Sequence, residues 1–211
     1  WRIVRVNEDG TIRIVMQDVI NSNATYKFNS TYNNYRYMYY TNSQVKSTLE
    51  SWYQTNIGSK ADLAKNVAIG NYYCEQAKVK WYNSATSGNA TMIIYTSYTP
   101  SFKCSTDGNG KGIVNASVGL LSYDEVVYAG GYFNVMDNNY YLNNSYSPSW
   151  TMSPAGFVPG NSNSYVWGVG YSAFISSATV DNSVPLKAVL NLTADTLVTG
   201  DGTKDNPFTV E

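Results

Sequence analysis

From Asn138 to Val180 the chain carries no charged side chain, although Asp137 and Asp181 stand at its borders. The same stretch holds nine aromatic residues, Tyr140, Tyr141, Tyr146, Trp150, Phe157, Tyr165, Trp167, Tyr171 and Phe174, set among Asn, Ser and Gly. So much ring area without charge has two uses: it fills a core, or it is displayed to another molecule. Trp150 and Trp167 sit in strand-like pieces and are expected mainly inside. Tyr140, Tyr141, Tyr146, Tyr165 and Tyr171 are expected at least partly exposed. Their setting has the composition of an antibody paratope, where Tyr and Trp give contact area at low rotamer entropy and Ser, Gly and Asn give adaptable hydrogen bonds. The candidate ligand-binding residues are Tyr140, Tyr141, Asn143, Asn144, Tyr146, Asn161, Asn163, Tyr165, Trp167, Tyr171 and Phe174.

The rest of the composition narrows the class. A chain of 211 residues with 43% apolar residues can bury a real core in one domain. Only 14% of residues are charged, against roughly a quarter in average soluble domains, so solubility rests on neutral polar groups. The balance of 14 Lys+Arg to 15 Asp+Glu supplies no global positive field and argues against a nucleic-acid partner. The absence of His removes Ser-His-Asp and Cys-His relays and the commonest transition-metal ligand. Charge is also unevenly placed: residues 1–111 hold 12 basic and 7 acidic side chains, residues 112–211 hold 2 and 8.

Along the chain, WRIVRV and TIRIV flank an Asp9-Gly10 turn signal and predict an opening hairpin. Asn21 to Tyr40 reads as a long loop dense in Tyr and Asn, and its Tyr32, Tyr35, Tyr37, Tyr39 and Tyr40 are expected to rim the binding segment. From the N-cap Ser43, Val45, Leu49, Trp52 and Tyr53 recur at helical spacing up to a stop at Gly58. A shorter helical piece is expected over Asp62 to Ile69. Between the cysteines a strand is expected at Thr91 to Tyr95, with polar loop on either side. Ser122 with Asp124 and Glu125 starts a brief helix, SYDEVVYA, closed by Gly130-Gly131. Later strand pieces are Trp150 to Met152, Tyr165 to Val169, Ala173 to Ile175 and Lys187 to Leu192, before a turn-rich tail with a final short strand.

Cys74 and Cys104 either remain as two free thiols or close a loop of about thirty residues, worth roughly 3 to 4 kcal/mol. The charge-poor, Tyr- and Asn-rich composition points outside the cell, so a bridge is expected. Asp107-Gly108-Asn109-Gly110 looks like a calcium loop but lacks the later carboxylate, so a plain turn is expected and no metal or other cofactor. A glycosidase-like carboxylate pair could draw on Asp124, Glu125 and Asp137, but the first two are explained more simply by a helix start.

Several longer motifs carry a resemblance: WRIVRVNEDGTIRI, LESWY, PSFKC, LLSYDEVVYAGG (Leu120 to Gly131), YYL, SWTMSP, KAVLNL and TGDGTKDNPF, in that order. Together they resemble a family of domains in surface and pilin-like proteins of Gram-positive-type gut bacteria, over essentially all 211 residues. That family is similar to the C-type-lectin-like fold, which also hosts formylglycine-generating enzymes and the variable proteins of diversity-generating retroelements. The resemblance implies that Asn138 to Val180 is a display segment. Three departures bear on this. The family's Arg-Pro pair before the last apolar strand is Lys187-Ala188 here, so a buried arginine network is not assumed. No cysteine lies beyond Cys104, against formylglycine chemistry. The uncharged segment also lacks the carboxylate-rich loop of calcium-dependent sugar binding.

The expectation is therefore one α+β domain over residues 1–211, with C-type-lectin-like architecture: two helices packed on a twisted, mostly antiparallel sheet with long loops. It is expected to be the C-terminal part of a longer exported protein, displayed on a bacterial surface, with no direct membrane insertion. The expected function is non-catalytic recognition of a protein or glycan on another cell or phage. The alternative is a structural module of a stalk or pilus with no ligand of its own.

Overall fold

β-Branched residues on both sides of Asp9-Gly10 build the opening hairpin that the sequence predicts. β1 (Arg2–Val6) and β2 (Ile12–Val15) pair antiparallel, with Val6 opposite Ile12. The turn is held by Asp9, whose carboxylate accepts the Thr11 amide (3.0 Å) and hydroxyl (2.7 Å), and by Gly10 at φ 83°. The computed structural model describes residues 1–22, 24–75, 79–84, 90–95, 102, 113–133, 140–142, 148–158, 162–170, 174–196, 198–200, 206 and 209–210. At 71–72, 79–84, 90–95, 132–133, 198 and 209–210 it describes the backbone alone.

After the hairpin come β3 (Tyr26–Lys27), two 3-10 turns, α1 (Gln44–Tyr53), a π-helical turn at Gln54–Gly58, and α2 (Ala61–Ala64). β4 (Gly70–Cys74), β5 (Val79–Ser84), β6 (Ala90–Tyr95) and β7 (Ile113–Ala116) precede α3 (Tyr123–Tyr128). Then follow β8 (Tyr132–Phe133), β9 (Ser149–Val158), β10 (Asn163–Val169), β11 (Phe174–Thr179), β12 (Ser183–Val184), β13 (Val189–Leu192), β14 (Val198–Thr199) and β15 (Thr209–Val210). The main sheet has the order β5-β6-β9-β10-β11-β8, antiparallel except for the β11–β8 edge. A second sheet has the order β1-β2-β13, and three two-stranded pairs complete the set. The fold is thus mixed helix and sheet. Its three α-helices among the described residues fall on the three helical pieces read from the sequence, one more than the two expected to pack on the sheet, and β5 forms where polar loop was expected.

α1 forms as read. The Ser43 hydroxyl accepts the Lys46 amide at 3.0 Å, and Val45, Leu49 and Tyr53, one face at i, i+4 and i+8, are buried. Each such side chain contributes roughly 1.5–3 kcal/mol by leaving water. α3 opens with a full capping box. Glu125 donates its amide to the Ser122 hydroxyl (3.2 Å), and its carboxylate accepts the Ser122 amide (2.8 Å). It closes at Gly130, φ 96°, with the Gly131 amide donating to the Val126 carbonyl at 2.9 Å.

The core lies between the sheets and under both capped helices. Trp150, 1% exposed, meets Phe28 edge-on at 5.7 Å and donates its indole N–H to the Tyr26 carbonyl at 3.0 Å. The loop of Asn21 to Tyr40 is no mere rim. Tyr39 and Tyr40 are core residues, and the Tyr40 hydroxyl reaches the Val118 carbonyl at 3.0 Å. This corrects the expectation for those two: Tyr40 can bury its ring because a carbonyl is in reach of its hydroxyl, while Tyr39 packs edge-on against Tyr35 at 6.5 Å.

Candidate functional site

β10 alternates, and its neighbours decide which side is open. Tyr165 lies opposite Thr179, Trp167 opposite Ser177 and Val169 opposite Ile175, so all six share one face of the β10–β11 pair. α3 covers one end of that face: Tyr123 stacks on Trp167 at 5.1 Å between ring centroids, and Val126 and Ile175 are fully buried beside Gly131. At the other end Ser177 is exposed and Asn163, Tyr165 and Thr179 are half-buried, with no described helix over them. None of these carries a charge. The Asn163 amide points at the Tyr165 hydroxyl at 3.5 Å.

The reverse face is closed by the tyrosine loop. The Ser164 amide donates to the Tyr32 carbonyl (2.9 Å) and its hydroxyl to the Asn34 carbonyl (2.6 Å), while Phe157 meets Tyr35 edge-on at 6.4 Å. Tyr32 and Tyr35 therefore adjoin the hairpin, but from behind the Tyr165 face.

The expected binding residues divide accordingly. Asn163, Tyr165 and Trp167 are brought together on one face, with Trp167 buried as expected. Phe174 alternates with Ile175 onto the opposite face. Tyr140 is only 5% exposed, which corrects the expectation of a displayed ring; burial pushes its phenol well above the ordinary value. Tyr141 is half exposed. Its amide donates to the Ala129 carbonyl at 2.9 Å and its carbonyl accepts from the Arg2 guanidinium, placing it beside the end of α3. Asn143, Asn144, Tyr146, Asn161 and Tyr171 lie outside the described residues, as do Asp107 to Gly110, Asp137 and Cys104. Cys74 ends β4, half-buried, and its bridge to Cys104 stands as a proposal.

Of the three carboxylates that suggested catalysis, Glu125 is engaged in an ion pair. Glu125, 3% exposed, is ion-paired to the buried Arg13 and lies 3.5 Å from the Arg5 guanidinium. Arg13 also donates to the Leu120 carbonyl (3.3 Å) and to Asn191 (3.5 Å), and stacks over the Tyr73 ring at 4.8 Å. A buried arginine network thus exists, supplied by β2 rather than by the Lys187 position. Glu75, wholly buried, accepts the Thr41 amide (2.7 Å) and hydroxyl (2.6 Å) on one oxygen. Sequence reasoning missed the Arg13–Glu125 pair. The available signal was an arginine inside the β-branched run Ile12–Val15, where a strand paired on both sides leaves it no route to water.

Lys187 is the second buried cation, 8% exposed, and desolvation pulls its ammonium down to about 8, against a raising influence from Asp18. Among the described residues no three His, Cys, Asp or Glu side chains group to hold a metal ion, and no helix is long and apolar enough to cross a membrane. Compared with known proteins, the chain matches no family model, no curated protein and no solved structure.

Proposed function

We propose that this chain is a non-catalytic recognition domain of C-type-lectin-like architecture, displayed on a bacterial surface, that binds a protein or glycan on another cell or phage. The observation that supports it most is the divided face of β10–β11. One end is anchored by Trp167 under α3, while the other presents Asn163, Tyr165, Ser177 and Thr179, uncharged and with no described helix over them. A rigid scaffold holding Tyr among small polar side chains is what low-entropy surface recognition needs. The bridge between Cys74 and Cys104 belongs to the same extracellular reading.

The test is staining of intact bacterial cells and phage particles with labelled domain, comparing wild type with Tyr165→Ala and Asn163→Ala. We expect Tyr165→Ala to weaken attachment about tenfold or more while stability changes by no more than about 1 kcal/mol. Equal staining by wild type and both variants would instead favour the stalk or pilus module. Diversification is read from the coding DNA: a near-identical template repeat for residues 138–190 differing at adenines, beside a reverse transcriptase, marks a variable protein.

A further inference from the structure

Away from the β10–β11 face, α1, its π-helical turn and the strand β3 enclose a shallow groove of about 430 Å³. Its floor and walls include Asn21, Tyr26, Thr48, Trp52, Thr55 and Asn56. No lining residue carries a charge, so nothing there compensates an ionic ligand. The polar groups are pinned by hydrogen bonds. The Thr48 hydroxyl donates to the Gln44 carbonyl (3.1 Å), the Thr55 hydroxyl to the Ser51 carbonyl (3.0 Å), and the Asn56 amide to the Trp52 carbonyl (2.8 Å). The Asn21 amide donates to the Tyr26 hydroxyl at 2.8 Å. Held this way, Thr48, Thr55 and Asn56 keep acceptor oxygens, while Asn21 and Asn56 each keep a second N–H and the Tyr26 hydroxyl keeps its proton to donate, beside the half-buried Trp52 and Tyr26 rings.

Two backbone features hold this arrangement. The chain at Asn21 and Ser22 turns through left-handed conformations, φ 51° at each, which L side chains adopt only where the surroundings require it. The α1 ladder widens into the π-turn at Gln54–Gly58, the segment that carries Thr55 and Asn56, and such turns recur at functional sites. Tyr26 is steadied from behind by the Trp150 indole, which donates to its carbonyl.

We infer that this groove is a second binding site, for a neutral saccharide. A ligand complementary to placed acceptors and donors beside an aromatic wall carries groups that both donate and accept, is uncharged and is apolar on one side, and a sugar ring with its hydroxyls and its C–H face has that chemistry. The assignment does not depend on the β10–β11 face.

The experiment titrates the intact chain, by saturation-transfer NMR and tryptophan fluorescence, with chitobiose, lactose, maltotriose and mannotriose, and with tetramethylammonium as a cationic control. Asn56→Ala and the ring-conserving Trp52→Phe serve as groove variants, and Tyr165→Ala as the control on the other face. We expect at least one saccharide to bind, each groove variant to weaken it about fivefold or more, and Tyr165→Ala to leave it unchanged. Asn56 is half-buried near the surface, so its variant keeps the fold testable if Trp52→Phe loosens packing. The inference is overturned if none of the saccharides binds, if tetramethylammonium alone binds, or if binding survives both groove variants. Loss only in Tyr165→Ala would also overturn it and would move the sugar to the other face.

Discussion

Two regions of this molecule treat polarity in opposite ways. Around Arg13 and Glu125, the chain places full charges where water is absent; on the outer end of β10–β11, it places neutral amides, hydroxyls and a phenol where water is present. In a chain with only 14% charged residues, two of the three ion pairs among the described residues meet at a structural knot joining β2 to α3, and the described residues of the candidate contact surface carry no charge. Such a surface selects by shape and hydrogen bonding rather than by steering. The knot, by contrast, tolerates no partner loss, since removing one ion leaves the other desolvated and unpaired.

The comparison breaks most visibly at Glu125. Glu125→Ala should cost about 3–5 kcal/mol in urea denaturation, whereas replacing Arg13 and Glu125 together by Met and Leu should recover most of it. A cost of Glu125→Ala near zero would mean that the knot is not structural. Next in size is Gly119→Ala, whose new methyl would enter the Tyr73 ring. That ring is fixed by Arg13 on its face and by its hydroxyl on the Val189 carbonyl at 2.8 Å, so a loss of about 1–3 kcal/mol in the same assay is expected.

Lys187→Met should act the other way, stabilising by on the order of 2 kcal/mol at pH 7 by removing a desolvated charge. The wild type carries the matching pH signature. Between about 8 and the ordinary 10.5, the unfolded chain holds the Lys187 proton and the folded chain does not, so stability rises with pH. Above about 10 the sign reverses, because Tyr39, Tyr40, Tyr73 and Tyr140, all raised chiefly by burial, keep protons that the unfolded chain loses. Melting followed from pH 7 to 11 should pass through a maximum, and Lys187→Met should flatten its rising side. The smallest effects belong to the open face. Tyr165→Ala and Asn163→Ala should change stability by no more than about 1 kcal/mol in thermal melts, and a larger loss would make that face part of the core.

Local signals in the sequence read well where one neighbour within four residues decides the outcome. Ser43 and Ser122 cap their helices, Asp9-Gly10 turns its hairpin, and Trp150 and Trp167 go inside. The misreadings share a different cause. Arg13 meets Glu125 across 112 positions, and Tyr40 meets Val118 across 78, distances at which no periodicity speaks. Tyr140 looks like its neighbour Tyr141 in sequence, yet one ring is buried and the other half exposed because the chain turns between them at the end of α3. Within the candidate site, alternation alone groups Asn163, Tyr165 and Trp167. That α3 would close one end of their face, and that the tyrosine loop would close the reverse, depends on packing between distant segments.

The pairing of β2 with β13 places Ile14 opposite Leu190. A polypeptide that appears N-terminus first therefore carries an opening hairpin with the inner edge of β2 still bare, and cannot close this sheet until β13 is available. Closure of this sheet thus waits on a distant segment, and a chain stopped short of β13 leaves β2 with an unpaired, β-branched edge.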